Sequence, residues 1–420
     1  MNSRATRALS TCMDKETVLI SGAGIAGPTL CYWLSVAGFK PTLIERSTSL
    51  RRGGYVIDFW GLGYDIAGRM GLQADIDQIG YHVREMRIVD NRNKRVAGFG
   101  TSVFRELAGD RFVTLRRSDL SQLLFLKVAH NVETIFDEEV IGLEERENCV
   151  RVQFRRGGER EFSLVIGADG LHSNLRKLVF GPQDRFEKRL GYAVAAFEVS
   201  GYWARDNDVY VTFNEPGRMA ARLALRNDRT LFLLVFATDK DAPIPTSDVW
   251  AQKAILWERF SDRKWECPCI LRALDRTQNL YFDQVSQIRM DRWSRGRVVL
   301  VGDAAFCVSL MAGQGAALAM IAAYVLAGEL AKTGGRYAQA FANYEALLRD
   351  FISLKQRGAE RFAGAFAPKT HLGLFLRNQV IKAFAIPGLA RLAFGKDITL
   401  ALELPEYQWP RVLDPSEGAA

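Results

Sequence analysis

Asp303, Gly313 and Gly315 stand out in this 420-residue sequence as residues whose types and spacing could do chemistry together. They lie in RVVLVGDAAFCVSLMAGQGAALAMIAAYVLAGEL, residues 297–330. A β-branched run, Val298–Val301, ends at Gly302-Asp303, a loop leads to Gly313-Gln314-Gly315-Ala316, and an alanine-rich helix begins. An aspartate at a strand end accepts hydrogen bonds from sugar-like hydroxyls, and glycines let backbone N–H groups come close to a flat ring. The helix start adds positive potential, which stabilises nearby negative charge by about 0.3–1 kcal/mol. These parts suit a bound flavin-type redox cofactor. An ordinary strand, loop and buried helix share the local pattern, and two further motifs upstream decide between the two.

The first is TVLISGAGIAGPTLCYWLSVAGFKPTLIERS, residues 17–47. A short apolar strand precedes Gly22-x-Gly24-x-Ala26-Gly27, a helical pattern follows, and a second strand, Pro41–Ile44, ends at Glu45 and Arg46. In a βαβ unit such glycines permit a tight turn, approach of a pyrophosphate and close helix–strand packing, while the acid binds a ribose hydroxyl. Glu45 lies 21 residues after Gly24, near the spacing this motif requires. An acid here favours an unphosphorylated adenosine ribose, as in FAD or NAD, over NADP. The second is FSLVIGADGLHSNLRKLV, residues 162–179, where a strand ends in Gly167-Ala168-Asp169-Gly170 and Ser173 and Arg176 follow at helical spacing. Asp169 has two readings here, a cofactor contact or a cap on the next helix. His172 inside the motif reads as a bystander.

Composition and patterning constrain the frame that must position these residues. The length fits two or three domains, and 48% hydrophobic content is enough for a sizeable core. Six scattered cysteines do not make a disulfide scaffold, and Cys267-Pro268-Cys269 lacks a second pair for zinc. With four histidines, at 82, 130, 172 and 371, no metal site is expected. The net charge of +8 is interspersed with acids, as a solvated surface is, so no nucleic-acid partner is expected. Residues 1–13 do not resemble a secretory signal and read as a disordered tail. The apolar run Gly315–Gly328 is 14 residues, short of a membrane span, and reads as a core helix. A cytoplasmic monomer or weak dimer is expected.

The coarse parse is an α/β fold: a Rossmann-like cofactor domain with an inserted, mainly antiparallel β-sheet substrate domain and a C-terminal helix. Residues 14–72, 108–187 and 291–370 form the discontinuous cofactor domain. Residues 73–107 and 188–290 form the substrate domain, where runs such as YAVAAFEVS and TLFLLVFA alternate like strands. Ser118 or Asp119 is a plausible cap for the helix SDLSQLLFLKVA. The basic amphipathic stretch 371–405, with Pro387, reads as a bridging helix across the two domains, the membrane-surface alternative being the weaker.

Over nearly its whole length the chain resembles the class A flavoprotein monooxygenases of the aromatic-ring hydroxylase type, most closely the branch that includes tetracycline-inactivating flavoproteins. The resemblance is carried by GAGIAGPTLCYWL, LIERS, RRGGYVIDFWGLG, LRRSDLSQLL, LVIGADGLHS and GDAAFC…AGQGAALAM…AYVLAGEL. It implies that Gly22, Gly24, Ala26, Gly27, Glu45 and Arg46 hold the ADP part of FAD, with Arg117 also a contact and Arg52 near the pyrophosphate or the nicotinamide donor. Asp169 would serve FAD and the donor, and Asp303 with Gly313, Gln314, Gly315 and Ala316 would hold the ribityl chain and ring. The implied reaction is reduction of FAD by NAD(P)H, addition of O2 at the flavin C4a, and transfer of one oxygen atom to an aromatic or polycyclic phenol or enol, a tetracycline-like compound among the candidates. No protein residue is assigned as a catalyst, since the chemistry is the cofactor's. Arg218 is the candidate for orienting substrate, against a solvated strand-edge role.

The sequence also departs from that family. Proline usually occurs, often twice, between the aspartate and the glycine pair, where this chain has Val308, Ser309, Leu310 and Met311, and Phe306 replaces the usual histidine. Proline stiffens such a wall because it fixes φ. Two rival readings remain open: a flavin-dependent halogenase, although the W-x-W-x-I-P signature is absent, and a non-oxygenating flavoprotein that keeps the fold.

Overall fold

The structure is a computed structural model. It describes residues 16–51, 53–109, 111–239, 244–245, 248–262, 264–384 and 402–409. The expected tail, residues 1–13, lies outside the described residues, as do Arg52 and Pro387.

Apolar, β-branched runs buried on both faces build a parallel sheet, as expected where helices cover both sides. Its strand order is Ser294–Arg295, Val298–Leu300, Leu164–Gly167, Thr17–Ser21, Lys40–Glu45 and Glu133–Phe136, with only the first of these antiparallel to its neighbour. Val18, Leu19 and Ile20 of the central strand are fully buried. This order sets the carboxyl ends of four strands side by side, so Gly22, Glu45, Asp169 and Asp303 lie at the ends of neighbouring strands at one end of the sheet. In open α/β sheets that end is where ligands bind.

The second sheet has seven strands, in the order Tyr281–Ile288, Glu187–Ser200, Arg229–Ala237, Arg218–Ala224, Val209–Glu215, Glu85–Val89 and Arg95–Gly100. All neighbours are antiparallel except Val209–Glu215 with Glu85–Val89. Side chains alternate across it. One face, with Phe197, Ala220, Phe232 and Phe236, packs on helices Val249–Phe260 and Cys267–Arg276 through Leu256, Phe260, Ile270 and Leu274. The other, with Tyr192, Val194, Met219, Ala221, Val235 and Val285, packs on Met311, Ala363 and Ala367. The sheet therefore turns an apolar face toward the loop that follows Asp303.

Alanine has the highest helix propensity, and the alanine-rich segment forms the helix Gly315–Lys332. It is long and apolar enough to cross a membrane, but it is packed inside the protein, with Ala322, Tyr324 and Leu326 fully buried. Gly328 is needed at its far end. A Cβ there would stand 2.1 Å from the ring of Tyr407, which lies over the helix and donates to Glu329 Oε1 at 2.9 Å. Trp409 stacks beside Trp33, with centroids 4.7 Å apart. Residues 402–409 thus lie on the core that holds the parallel sheet, whereas helix His371–Ala383 packs against Arg95–Gly100 and Val209–Glu215 of the seven-stranded sheet.

Two local expectations need correction. The helix expected to be capped at Ser118 or Asp119 begins at Arg117, with Arg116 at the cap position, and Asp119 accepts from Arg116 Nε at 2.8 Å. Residues 102–107, expected to continue a strand pattern, form a short helix.

Candidate cofactor and substrate site

The glycines of the first motif differ in what they do. Gly22 has φ +108°, and a Cβ on it would stand 2.6 Å from the carbonyl oxygen of Ala168. Its N–H donates to Ile44 at 2.8 Å, tying the turn to the second strand. Gly27 lies in the first turn of helix Ala26–Val36, where a Cβ would fall 1.9 Å from the carbonyl oxygen of Gly22. Gly24 is open by contrast: a Cβ would meet only Arg117, 3.5 Å from Nη2. Ala26, buried, faces Gly302 across the site, its Cβ 3.5 Å from where a Cβ on that glycine would be.

Glu45 is half-buried and fixed by two backbone amides, Ala23 N–H to Oε2 at 2.9 Å and Ser47 N–H to Oε1 at 3.0 Å. Each carboxylate oxygen keeps lone-pair capacity for a further donor such as a hydroxyl. Three guanidinium groups gather beside it. Arg51 is held below the ordinary arginine value by desolvation and by repulsion from Arg46 and Arg117, with Glu45 opposing. Such a cluster favours an anion. The sequence pointed to Arg52; Arg51, one position earlier, is the described residue in this cluster.

Asp169 bonds to the start of the next helix, whose cap residue is Ser173. Its Oδ1 accepts from Ser173 Oγ at 2.6 Å and its Oδ2 from the N–H of Leu175 at 3.0 Å, at the start of helix Asn174–Val179. Arg176 completes the motif from within. Fully buried, it donates from Nη1 to the carbonyl of Ala304 at 2.9 Å and from Nη2 to that of Leu171 at 2.6 Å. It thereby fastens the Asp169 turn to the segment that carries Asp303.

Gly302 (φ +64°) turns the chain at the strand end, and Gly313 (φ +65°) ends the turn Leu310–Ala312 in the left-handed region. A Cβ on Gly315 would lie 3.8 Å from Asp303 Oδ1, so the carboxylate stands beside the start of the long helix, with Gln314 at its cap and Ala316 in its first turn. Burial pushes the Asp303 carboxyl up, and nearby Arg117 opposes this. Tyr55 and Tyr281, ring centroids 5.2 Å apart, close the same space. Burial raises the Tyr55 hydroxyl to about 12, with Arg117 lowering it and Asp303 raising it further.

The loop without prolines is held by other means. Ser309 adopts φ +101°, a conformation the proline ring forbids. Gln287 donates to Val308 O at 3.1 Å and to Gln356 O at 2.8 Å, while Gln356 donates to Cys307 O at 3.2 Å and to Ile288 O at 2.8 Å. Both glutamines are buried. Nothing in the sequence spacing pointed to them.

His172 is not idle. Its Nε2 lies 3.0 Å from Asp283 Oδ2 on the seven-stranded sheet, a link between that sheet and the loop after Leu164–Gly167 of the parallel one. The Asp283 hydrogen bond raises the imidazole above its ordinary value, against desolvation. A raised histidine contributes stability that is complete below the unfolded value of about 6.5 and fades as pH rises through the folded one. Asp283→Asn should lower the His172 pKa in an NMR titration of its ring protons; an unmoved value would show that Asp283 does not set it.

Arg218 requires correction. It shares a sheet face with Ala220 and Arg222, the face covered by helix Val249–Phe260. There it pairs with Glu215 at 2.9 Å and with Asp262. The substrate role expected for it does not fit a side chain on the face turned away from Met311.

Residues 15–350 match the FAD binding domain family. The chain belongs to that family. A flavin-dependent monooxygenase from an unknown prokaryotic organism is 33% identical over 402 residues, covering 93% of this chain and 99% of its own length. The crystal structure of tetracycline destructase Tet(51) is 31% identical with a TM-score of 0.79, covering 94% of this chain and all of the other. Klebsiella pneumoniae HpxO, complexed with FAD and uric acid, shares the fold at 23% identity and a TM-score of 0.75, over 90% of this chain and 97% of that one. The chain is an FAD-dependent monooxygenase of the class A flavoprotein type. The residues fit FAD: the turn at Gly22 and Gly27 leaves no room for side chains, Glu45 is oriented by amides, and Arg117 stands over the one open glycine.

Proposed function

We propose that this flavoprotein monooxygenase draws electrons from NADH or NADPH and transfers one oxygen atom of O2 to an aromatic or polycyclic phenol or enol, a tetracycline-like framework among them. The apolar inner face of the seven-stranded sheet carries this reading. Tyr192, Met219, Ala221, Val235 and Val285 meet Leu310 and Met311 on the loop between Asp303 and the glycine pair, so a flat apolar molecule would lie between that face and the flavin. Similarity to a tetracycline destructase across 94% of the chain supports the polycyclic choice.

Bound FAD would supply the redox and oxygen chemistry, and the protein's residues do the rest. Glu45 and the cations Arg46, Arg51 and Arg117 would hold the adenylate and pyrophosphate, while Asp303 would accept from the ribityl hydroxyls. The amides of residues 313–316, at a helix start, stabilise negative charge on the ring. Tyr55, Tyr281 and the inner face exclude water, and the glutamine-tied loop fixes the wall against which substrate is oriented.

The test is oxygen uptake and NAD(P)H oxidation by FAD-loaded protein over a panel of phenols and tetracyclines, with product mass measured. Substrate-stimulated oxidation coupled to a product heavier by one oxygen atom is expected. Oxidation that yields only hydrogen peroxide across the panel would overturn the substrate assignment, and absence of NAD(P)H oxidation would overturn the donor assignment.

A further inference from the structure

A second recess opens on the substrate domain, a cleft of about 560 Å³ between the end of strand Glu187–Ser200 and the last turns of helix Cys267–Arg276. Arg272 and Arg276, four residues apart, share a helix face and project into it. Arg272 bonds the Cys269 thiol, and neither guanidinium enters an ion pair among the described residues. Opposite them stands Trp203, 71% exposed, an unusual position for so large an aromatic surface. Ser200, Thr277 and Gln278 add neutral hydrogen-bonding groups. The one carboxylate in the lining, Glu198, is already paired with Arg116 and Arg229.

An exposed indole, two guanidinium groups on one helix face and small polar groups form a recognition set for an aromatic base linked to phosphate. Arginine suits phosphate through its planar fork, and the indole offers a stacking face. The cleft also borders the cofactor site. Asn279, next to Gln278, has its Cβ 3.8 Å from where a Cβ on Gly53 would be, and the ring of Tyr281 two residues further meets that of Tyr55 at a tilt. Glu198 binds Arg116, the chain neighbour of Arg117.

We propose that this cleft docks the adenosine-phosphate half of the nicotinamide electron donor, with the base on Trp203 and phosphate on Arg272 and Arg276. The proposal rests on the reading of NAD(P)H as donor. It places the donor's other half beside the Gly53–Gly54 turn and Tyr281, where the rim of the cleft meets the flavin site.

The test uses the FAD-loaded protein, with ADP and adenosine 2′,5′-bisphosphate as probes, followed by tryptophan fluorescence and calorimetry. In Arg272→Gln/Arg276→Gln, affinity for the better probe should fall about tenfold or more, as loss of charge-assisted bonds implies. KM for the donor should rise by a similar factor, with kcat and the visible flavin spectrum unchanged. Trp203→Ala should weaken the probes likewise, and Trp203→Phe should recover most of the loss. Probe affinity and donor KM unchanged in these variants would overturn the docking site while leaving the monooxygenase reading intact. No donor oxidation by the parent protein would instead defeat the reading beneath it.

Discussion

Gly27→Ala is expected to give protein that no longer retains FAD and that unfolds at a lower temperature than the parent. The added methyl would lie 1.9 Å from the carbonyl oxygen of Gly22 and 3.3 Å from Leu43 Cδ1, so the helix must lift or the turn must open. Alanine gains at most about 1 kcal/mol over glycine in helix propensity. Overpacking a dense site costs about 1–3 kcal/mol and more when the obstacle is backbone, so the steric effect wins. The cost falls on the turn that the cofactor needs, because Gly22 is also bonded to Ile44. Gly24→Ala is the contrast: its methyl meets only the end of the flexible Arg117 side chain. That variant should match the parent in melting temperature yet bind FAD about tenfold more weakly, through crowding of a charge-assisted contact. Absorbance at the flavin band after desalting, together with thermal unfolding of the apoproteins, separates the two. A Gly27→Ala protein that keeps both its flavin and its melting temperature would refute the close-packing account.

These glycines were legible in the sequence because the constraint they answer is local. A turn that admits no Cβ, followed by a helix and an acid at fixed spacing, leaves its mark within about thirty residues. Asp303 and the 313–316 turn were legible for the same reason. Arg218 was misread for a different one. Alternation showed that its strand has two faces, but which face looks toward the cofactor is decided by helices Val249–Phe260 and Cys267–Arg276, which cover the other. Gln287 and Gln356 left no sequence signal at all, since their mutual bond joins residues 69 apart and amides have no spacing rule. The same holds for His172, whose partner Asp283 lies 111 residues away. The missing prolines were visible, and what replaces them was not: the stiffness of that loop moved from its own backbone to two side chains elsewhere.

Arg176→Met should destabilise the apoprotein by about 3–6 kcal/mol, since each of its two bonds to backbone carbonyls, made by a buried charged donor, is worth about 1.5–3 kcal/mol. Methionine fills much of the space but donates nothing, so the carbonyls of Ala304 and Leu171 lose their shared donor. Desolvation already holds the guanidinium below its ordinary value, with Asp169 opposing, so the cation is retained for what it joins. It joins the two turns of the cofactor site that lie on different strands, and with it gone the segment carrying Asp303 is no longer tied to the Asp169 turn. FAD affinity should therefore fall as well, and excess FAD should restore part of the stability, because a ligand that binds only the folded state stabilises it by mass action. Arg176→Lys keeps the charge but not the fork, so one ammonium must serve carbonyls that two nitrogens served before, and an intermediate loss is expected. Urea unfolding of both apoproteins and fluorescence titration with FAD measure this directly. If Arg176→Met unfolds within about 0.5 kcal/mol of the parent, the size of an ordinary surface change, then Arg176 does not hold the two turns together, and their alignment must come from the packing of the parallel strands alone.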